Sequence, residues 1–198
     1  MPIDQSIRSV AVYCGSSNHC PEHFKQAARD LGHLLAREKL RLVYGGGRVG
    51  LMGIVAQATM EAGGEVLGYM TEFLNAYEGG FDAITELHVV PTMHERKQKM
   101  FDHSDAFIIM PGGFGTLDEA FEIITWKQLG FHDKQIILLD IDHFWRPLFE
   151  HFVNHLCENR FIREEDKKLF TIVSTVEDVT TALNQPRALN HGIASKWG

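Results

Sequence analysis

The stretch Phe107–Glu122, FIIMPGGFGTLDEAFE, decides how the chain is read. Phe107, Ile108 and Ile109 form a short apolar run of the kind buried in a parallel sheet. Pro111-Gly112-Gly113-Phe114-Gly115 interrupts it, and Thr116 to Gln128 then carries a helical pattern. Thr116 and Glu119 have the T-x-x-E spacing of a capping box, which predicts a helix start at Thr116. A strand that ends in a glycine turn and feeds a helix leaves backbone N–H groups bare at the positive end of the helix dipole. Such a turn suits an anion, and phosphate is the expected guest.

Working outward, the same strand–turn–helix unit recurs. Ser9–Cys14 is an apolar strand running into Gly15-Ser16-Ser17-Asn18, and Pro21–Glu38 follows with Phe24, Ala27, Ala28, Leu31, Leu34 and Leu35 at helical spacing. Leu40–Tyr44 is a second strand, ending in Gly45-Gly46-Gly47-Arg48-Val49-Gly50, with a helix over Leu51–Ala62. Further strands are expected at Glu65–Met70, Glu86–Val90, Gln135–Asp140 and Phe170–Val173. Thr71 to Asp82 is expected as a loop, with helices at Met93–His103, Phe144–Asn159 (long) and Val176–Asn184. Alternating strands and helices predict an α/β fold: a doubly wound, Rossmann-like, mostly parallel sheet of about seven strands, helices on both faces. One domain over residues 1–185 is expected, with 186–198 as a loose tail. In such sheets ligands sit beyond the carboxyl ends of the strands, where the strand order reverses. The turns after the first, second and fifth strands fall on that edge.

Composition narrows the function. The chain has 198 residues, 44% hydrophobic and 23% charged, with a net charge of -7. That balance argues against gripping a nucleic-acid polymer through its backbone, which needs a basic face. No apolar run approaches the roughly 20 residues of a membrane span, and Met1–Ser9 has no signal-peptide core. Cys14, Cys20 and Cys157 lack metal-type spacing and read as reduced thiols in a cytoplasmic protein. The eleven histidines form no metal pair, His151 and His155 reading as surface or packing residues, so no metal is expected.

Gly45-x-Gly47-x-x-Gly50 matches the dinucleotide fingerprint between a strand and a helix. It follows the second strand, however, and only Glu72 could supply the acid expected after the next one, so a dinucleotide oxidoreductase is the weaker reading. A tight packing turn accounts for Gly50 and Gly53; three glycines in a row suggest close approach of a ligand. Arg96 and Lys97 open a helix after Pro91, a poor place for cations unless they act on something at that edge. Glu119 and Glu122 are three apart, on one helix face, one turn beyond the glycine turn. A carboxylate there is placed to meet the sugar of a nucleotide.

Pro111-Gly112-Gly113-Phe114-Gly115-Thr116-Leu117-Asp118-Glu119 resembles the P-G-G-x-G-T-x-x-E motif of the LONELY GUY family, and Met93-His94-Glu95-Arg96-Lys97 resembles its upstream partner motif. Tyr44–Gly47, Gly50–Gly53 and Ile124–Gly130 are similar to family sequence too, so the resemblance spans about Val10 to Val173. It implies a phosphoribohydrolase that splits the N-glycosidic bond of a cytokinin-type riboside 5′-monophosphate into free base and ribose 5-phosphate. Arg96 and Glu119 would be the catalytic pair. Met93, Lys97, Gly112, Gly113, Phe114, Gly115, Thr116, Thr125, Gly46 and Gly47 would contact the substrate, as would Glu78 in a more variable loop. Asp118 stands where relatives often carry Glu, at a variable position. The resemblance further implies a homodimer and no cofactor. The label "lysine decarboxylase" carried by many relatives is not adopted, because no pyridoxal-phosphate lysine setting is recognisable. Plain AMP, N6-prenylated AMP and other purine monophosphates all fit the motifs, and a non-catalytic nucleotide sensor on the same fold is the alternative.

Overall fold

A computed structural model of the chain describes residue 3 and residues 6 to 187. Seven strands, β1 (Ser9–Tyr13), β2 (Arg41–Tyr44), β3 (Val66–Thr71), β4 (Glu86–Val90), β5 (Ala106–Ile109), β6 (Gln135–Leu139) and β7 (Thr171–Val173), form one sheet. Every pairing is parallel, in the order β4-β3-β2-β1-β5-β6-β7. The order reverses between β1 and β5, which pair from Val10 opposite Ala106 to Tyr13 opposite Ile109. The crevice beyond Tyr13 and Ile109 is the switch point where such sheets bind ligands.

Alternate residues of each strand feed two cores, as a two-residue repeat requires. Val10, Val12, Leu42, Tyr44, Ile108 and Ile137 pack on one face with the apolar stripes of α1 (Glu22–Arg37), α2 (Gly50–Glu61) and the closing helix described below. Ala11, Tyr13, Val43, Tyr69, Phe107 and Ile109 pack on the other face. There they meet α4 (Met93–Asp102) and α5 (Phe114–Gln128) through Met100, Ala120 and Ile123. Both faces being covered, the central strands are buried at nearly every position, which is why they read as continuous apolar runs.

Two local expectations are corrected. Residues 72–78, expected as loop, form helix α3 (Glu72–Glu78), whose start is capped by the Thr71 hydroxyl accepting from Leu74 N–H at 3.2 Å. None of its residues is buried, so it carries no amphipathic stripe to betray it. The helix expected over 144–159 is found as a π-helical turn (Pro147–Phe152) running directly into α6 (Val153–Glu158), with a 3₁₀ turn (Ile141–His143) before it. Asp140 sets the turn that precedes it. Its buried carboxylate accepts from the N–H groups of Trp145 (2.6 Å) and Arg146 (3.2 Å), pinning the chain in a turn with Asp142 and His143 at positive φ. The capping box at Thr116 is absent as well. The helix α5 starts two residues earlier, at Phe114, with Gly113 as its N-cap and no side-chain cap.

A 3₁₀ turn (Glu164–Lys168) precedes β7, and α7 (Asp178–Leu183) closes the described fold. Of the expected tail, Pro186 and Arg187 are described, Arg187 bonding Asp133 at 3.1 Å; residues 188–198 lie outside the described residues.

Candidate active site

The helix α4 starts just after β4, capped by Thr92, whose hydroxyl accepts from Glu95 N–H. That start turns Arg96 and Lys97 inward, and both are buried rather than solvated. The Arg96 guanidinium is fixed at three corners. Its Nε donates to Tyr69 O at 2.8 Å, one terminal nitrogen to Gly45 O at 3.2 Å, and the other to Glu119 Oε1 at 3.3 Å. The last nitrogen also lies 3.3 Å from the Met93 sulfur. Gly45 is what makes room: a Cβ there would stand 1.8 Å from the guanidinium. Part of the glycine run therefore serves close approach by the protein's own arginine.

Glu119 projects from the second turn of α5 into the same crevice, its side chain 13% exposed. A single contact of 3.3 Å is long for a charge-assisted hydrogen bond, and Arg96 spends its other donors on neutral carbonyls. Burial therefore outweighs the attraction of Arg96, and the Glu119 carboxyl is pushed up to about 7. Near neutral pH it is shared between acid and carboxylate, the state a group needs to give or take a proton. Tyr13, at the end of β1, is buried, and its phenol is raised first by burial and then by the negative charge of Glu119 and Glu122.

Lys97 reaches α5 as well, its ammonium 3.0 Å from Asp118 Oδ2 and 3.1 Å from Glu122 Oε1. Burial works against the charged amine, but the hydrogen bonds it donates to Asp118 and Glu122 prevail and raise it above the ordinary lysine value.

The structure brings Met93, Arg96, Lys97 and Glu119 together. One turn before Glu119, Gly112 to Thr116 form the entry of α5. A Cβ on Gly113 or Gly115 would meet nothing within 4 Å, and Phe114 is 92% exposed. Thr116 is buried against Gly112, where a Cβ would stand 2.1 Å from its hydroxyl. Gly46 and Gly47 are buried beside Gly45, and Gly46 adopts a φ of +76° that favours glycine. Their backbone is bound by the segment after α3: Phe81 N–H donates to Gly46 O at 3.0 Å, and Gly47 bridges Gly80. Glu78, at the end of α3, and Thr125, exposed on α5, make no side-chain hydrogen bond to the group among the described residues.

The fingerprint glycines have their own explanation. At the start of α2, Gly50 N–H donates to the Asn18 side chain at 2.8 Å and Leu51 N–H to Gly15 O at 2.9 Å. Gly50 has φ +59°, and a Cβ there would lie 2.4 Å from the Ser16 carbonyl carbon; one on Gly53 would lie 2.1 Å from Arg48 O. The packing account of Gly50 and Gly53 is the one the geometry supports.

Sequence reasoning missed Gly45 as an anchor of Arg96, Tyr13 as a wall of the crevice, and Asp118 as a partner of Lys97. Only the last left a signal, since Asp118 and Glu122 are four apart on one helix face. Among the described residues no cluster of His, Cys, Asp or Glu is arranged to hold a metal.

The family model described as "Possible lysine decarboxylase" matches residues 52–183. A cytokinin riboside 5′-monophosphate phosphoribohydrolase of Arabidopsis thaliana is 39% identical over 194 residues, covering 98% of this chain and 85% of its own length. One from Rhodococcoides fascians is 41% identical over 180 residues, 90% of either chain. The molybdenum cofactor carrier protein of Chlamydomonas reinhardtii superposes with a TM-score of 0.68 at 18% identity, over 89% of this chain and 96% of that one, a likeness of fold alone. The chain thus belongs to the LONELY GUY family of cytokinin riboside 5′-monophosphate phosphoribohydrolases, whose family model bears the lysine decarboxylase description.

Proposed function

We propose that this protein is a phosphoribohydrolase that cleaves the N-glycosidic bond of purine riboside 5′-monophosphates, N6-prenylated AMP and AMP among them, to free base and ribose 5-phosphate. The observation that carries the reading is the buried Arg96–Glu119 contact one helical turn from the open glycine entry of α5. With the 5′-phosphate on that entry, the sugar lies level with Glu119, because one helical turn advances about 5.4 Å. Breaking the bond develops positive charge on the ribose. Glu119 as carboxylate stabilises that charge or takes a proton from the attacking water. The phosphate contact converts distant binding energy into alignment of the reacting carbon. Arg96 holds Glu119 in place and offers its charge to the substrate oxygens. Glu78, Met93, Lys97, Gly46, Gly47, Gly112 to Thr116 and Thr125 complete the proposed binding surface.

We further read the protein as a single-domain cytoplasmic homodimer. Three free thiols suit a reducing compartment, and exposed Phe121, Phe131 and Phe152 supply apolar surface for a second copy. No described helix is long and apolar enough to cross a membrane. The deciding experiment is chromatography of products after incubation with AMP and with isopentenyl-AMP. Free base from either, lost in Glu119→Gln, establishes the reaction. Tight binding without release would leave a nucleotide sensor instead.

A further inference from the structure

Lys97 and Arg96 are consecutive, yet they treat α5 differently. Arg96 meets Glu119, whereas Lys97 bonds the acids on either side of it in sequence, Asp118 and Glu122. The Lys97 side chain is 10% exposed, and an ammonium so enclosed requires carboxylate partners. Asp118 and Glu122 satisfy it together. They stand one turn apart on the same face, and Glu119 sits between them in sequence. Were they neutral, Glu119 would be the remaining carboxylate of that helix face for Lys97 to approach.

We propose that Asp118 and Glu122 are positioning residues for the hydrolysis: by bracketing the Lys97 ammonium they keep it off Glu119 and set the charge state in which Glu119 meets the substrate. This rests on the hydrolase reading above. The charges bearing on Glu119 come from two elements, Arg96 and Lys97 from α4 and Asp118 and Glu122 from α5, while the buried Tyr13 at the end of β1 and Cys14 just beyond it are raised and stay neutral. Two acids around one amine leave a surplus negative charge beside Glu119. That surplus opposes the pull of Arg96, in the same direction as burial. A bracket that only stiffened the α4–α5 contact would hold the helices together without altering how Glu119 titrates.

The test follows Glu119 by carbon-13 NMR of its side-chain carboxyl through a pH titration, alongside the pH profile of kcat for isopentenyl-AMP. Asp118→Asn and Glu122→Gln should each lower the Glu119 midpoint by roughly half to one pH unit, and the double variant by more. The kcat profile should move with it. Glu122→Asp, which keeps the charge, should titrate as the wild type does. An unmoved midpoint in the double variant overturns the proposal, and so does a kcat profile that stays put while the midpoint moves. If the wild-type protein releases no base, the hydrolase reading fails, and the positioning role in hydrolysis falls with it; the NMR midpoint still reports separately whether the bracket acts on Glu119.

Discussion

Replacing Glu119 with Gln should make the protein more stable, and increasingly so as the pH rises. A carboxyl held at about 7 instead of its ordinary 4.5 is disfavoured, once ionised in the fold, by about 3 kcal/mol. The sign follows from proton binding. Between pH 4.5 and 7 the folded protein keeps a proton that the unfolded chain has released, so rising pH favours unfolding. Below about pH 4.5 both states carry the neutral acid, and the wild type and the neutral Gln variant should be nearly equal. Above about pH 7 the ionised wild type bears the whole cost, and Gln, whose carbonyl still accepts from Arg96, bears none. Urea denaturation of both proteins at one concentration and at pH 4, 5, 6, 7 and 8 measures the gap, with turnover of AMP recorded in parallel. The expected gap grows from near zero to about 3 kcal/mol in favour of the variant, which should turn over no AMP. A gap that is flat with pH, or that favours the wild type at pH 8, would show that pairing with Arg96 outweighs burial, and the reasoning about the poised carboxyl would be wrong.

Gly45→Ala places a Cβ 1.8 Å from the Arg96 guanidinium, so the arginine must leave its carbonyl anchors. We expect kcat/KM to fall at least about a hundredfold while the far-ultraviolet circular dichroism stays native; near-normal turnover would remove Gly45 from the site. His132 is buried, its Nε2 2.8 Å from Ile123 O and its Nδ1 accepting from Lys134 N–H at 3.1 Å, and burial lowers it to about 4. For a base depressed in the fold, the unfolded chain takes up the proton first as pH falls below about 6.5. His132 should therefore cost about 3 kcal/mol of stability between pH 6.5 and 4. The loss should stand out in the Glu119→Gln background, where the opposing trend is gone. An imidazole signal from His132 that titrates near 6.5 would contradict it.

Much of this was legible in the chain. Strands buried on both faces advertise themselves as apolar runs, and the five inner strands fall where those runs lie; the edge strands β4 and β7, less buried, also fall where strands were expected. The turns expected after the first, second and fifth strands do lie at the carboxyl edge, where the order reverses between β1 and β5. What escaped depended on partners distant in sequence. Twenty-three residues separate Arg96 from Glu119 and fifty-one separate it from Gly45, so no local pattern announces their contacts. Glycine next to glycine suggests a ligand as readily as it suggests a guanidinium. The helix α3 packs no side chain into the core and so writes no periodicity. The tight turn between β6 and the next helix comes from one buried carboxylate, Asp140, drawing two backbone N–H groups to itself.

The two glycine-marked helix entries also differ in what they have left to give. The first N–H groups of α2 are already engaged by the Asn18 side chain and the Gly15 carbonyl, with the Ser16 backbone pressed against Gly50. A pyrophosphate arriving there would have to evict the turn after β1 and lose two made hydrogen bonds before gaining any. The entry of α5 has no side-chain cap, and Gly113 and Gly115 face open space. The pattern that matches the dinucleotide signature letter for letter is thus the closed door, and the plainer Gly-Gly-Phe-Gly turn is the open one. For this fold, a glycine signature is informative about ligands only after one asks whether the neighbouring turn has already taken its hydrogen-bond donors.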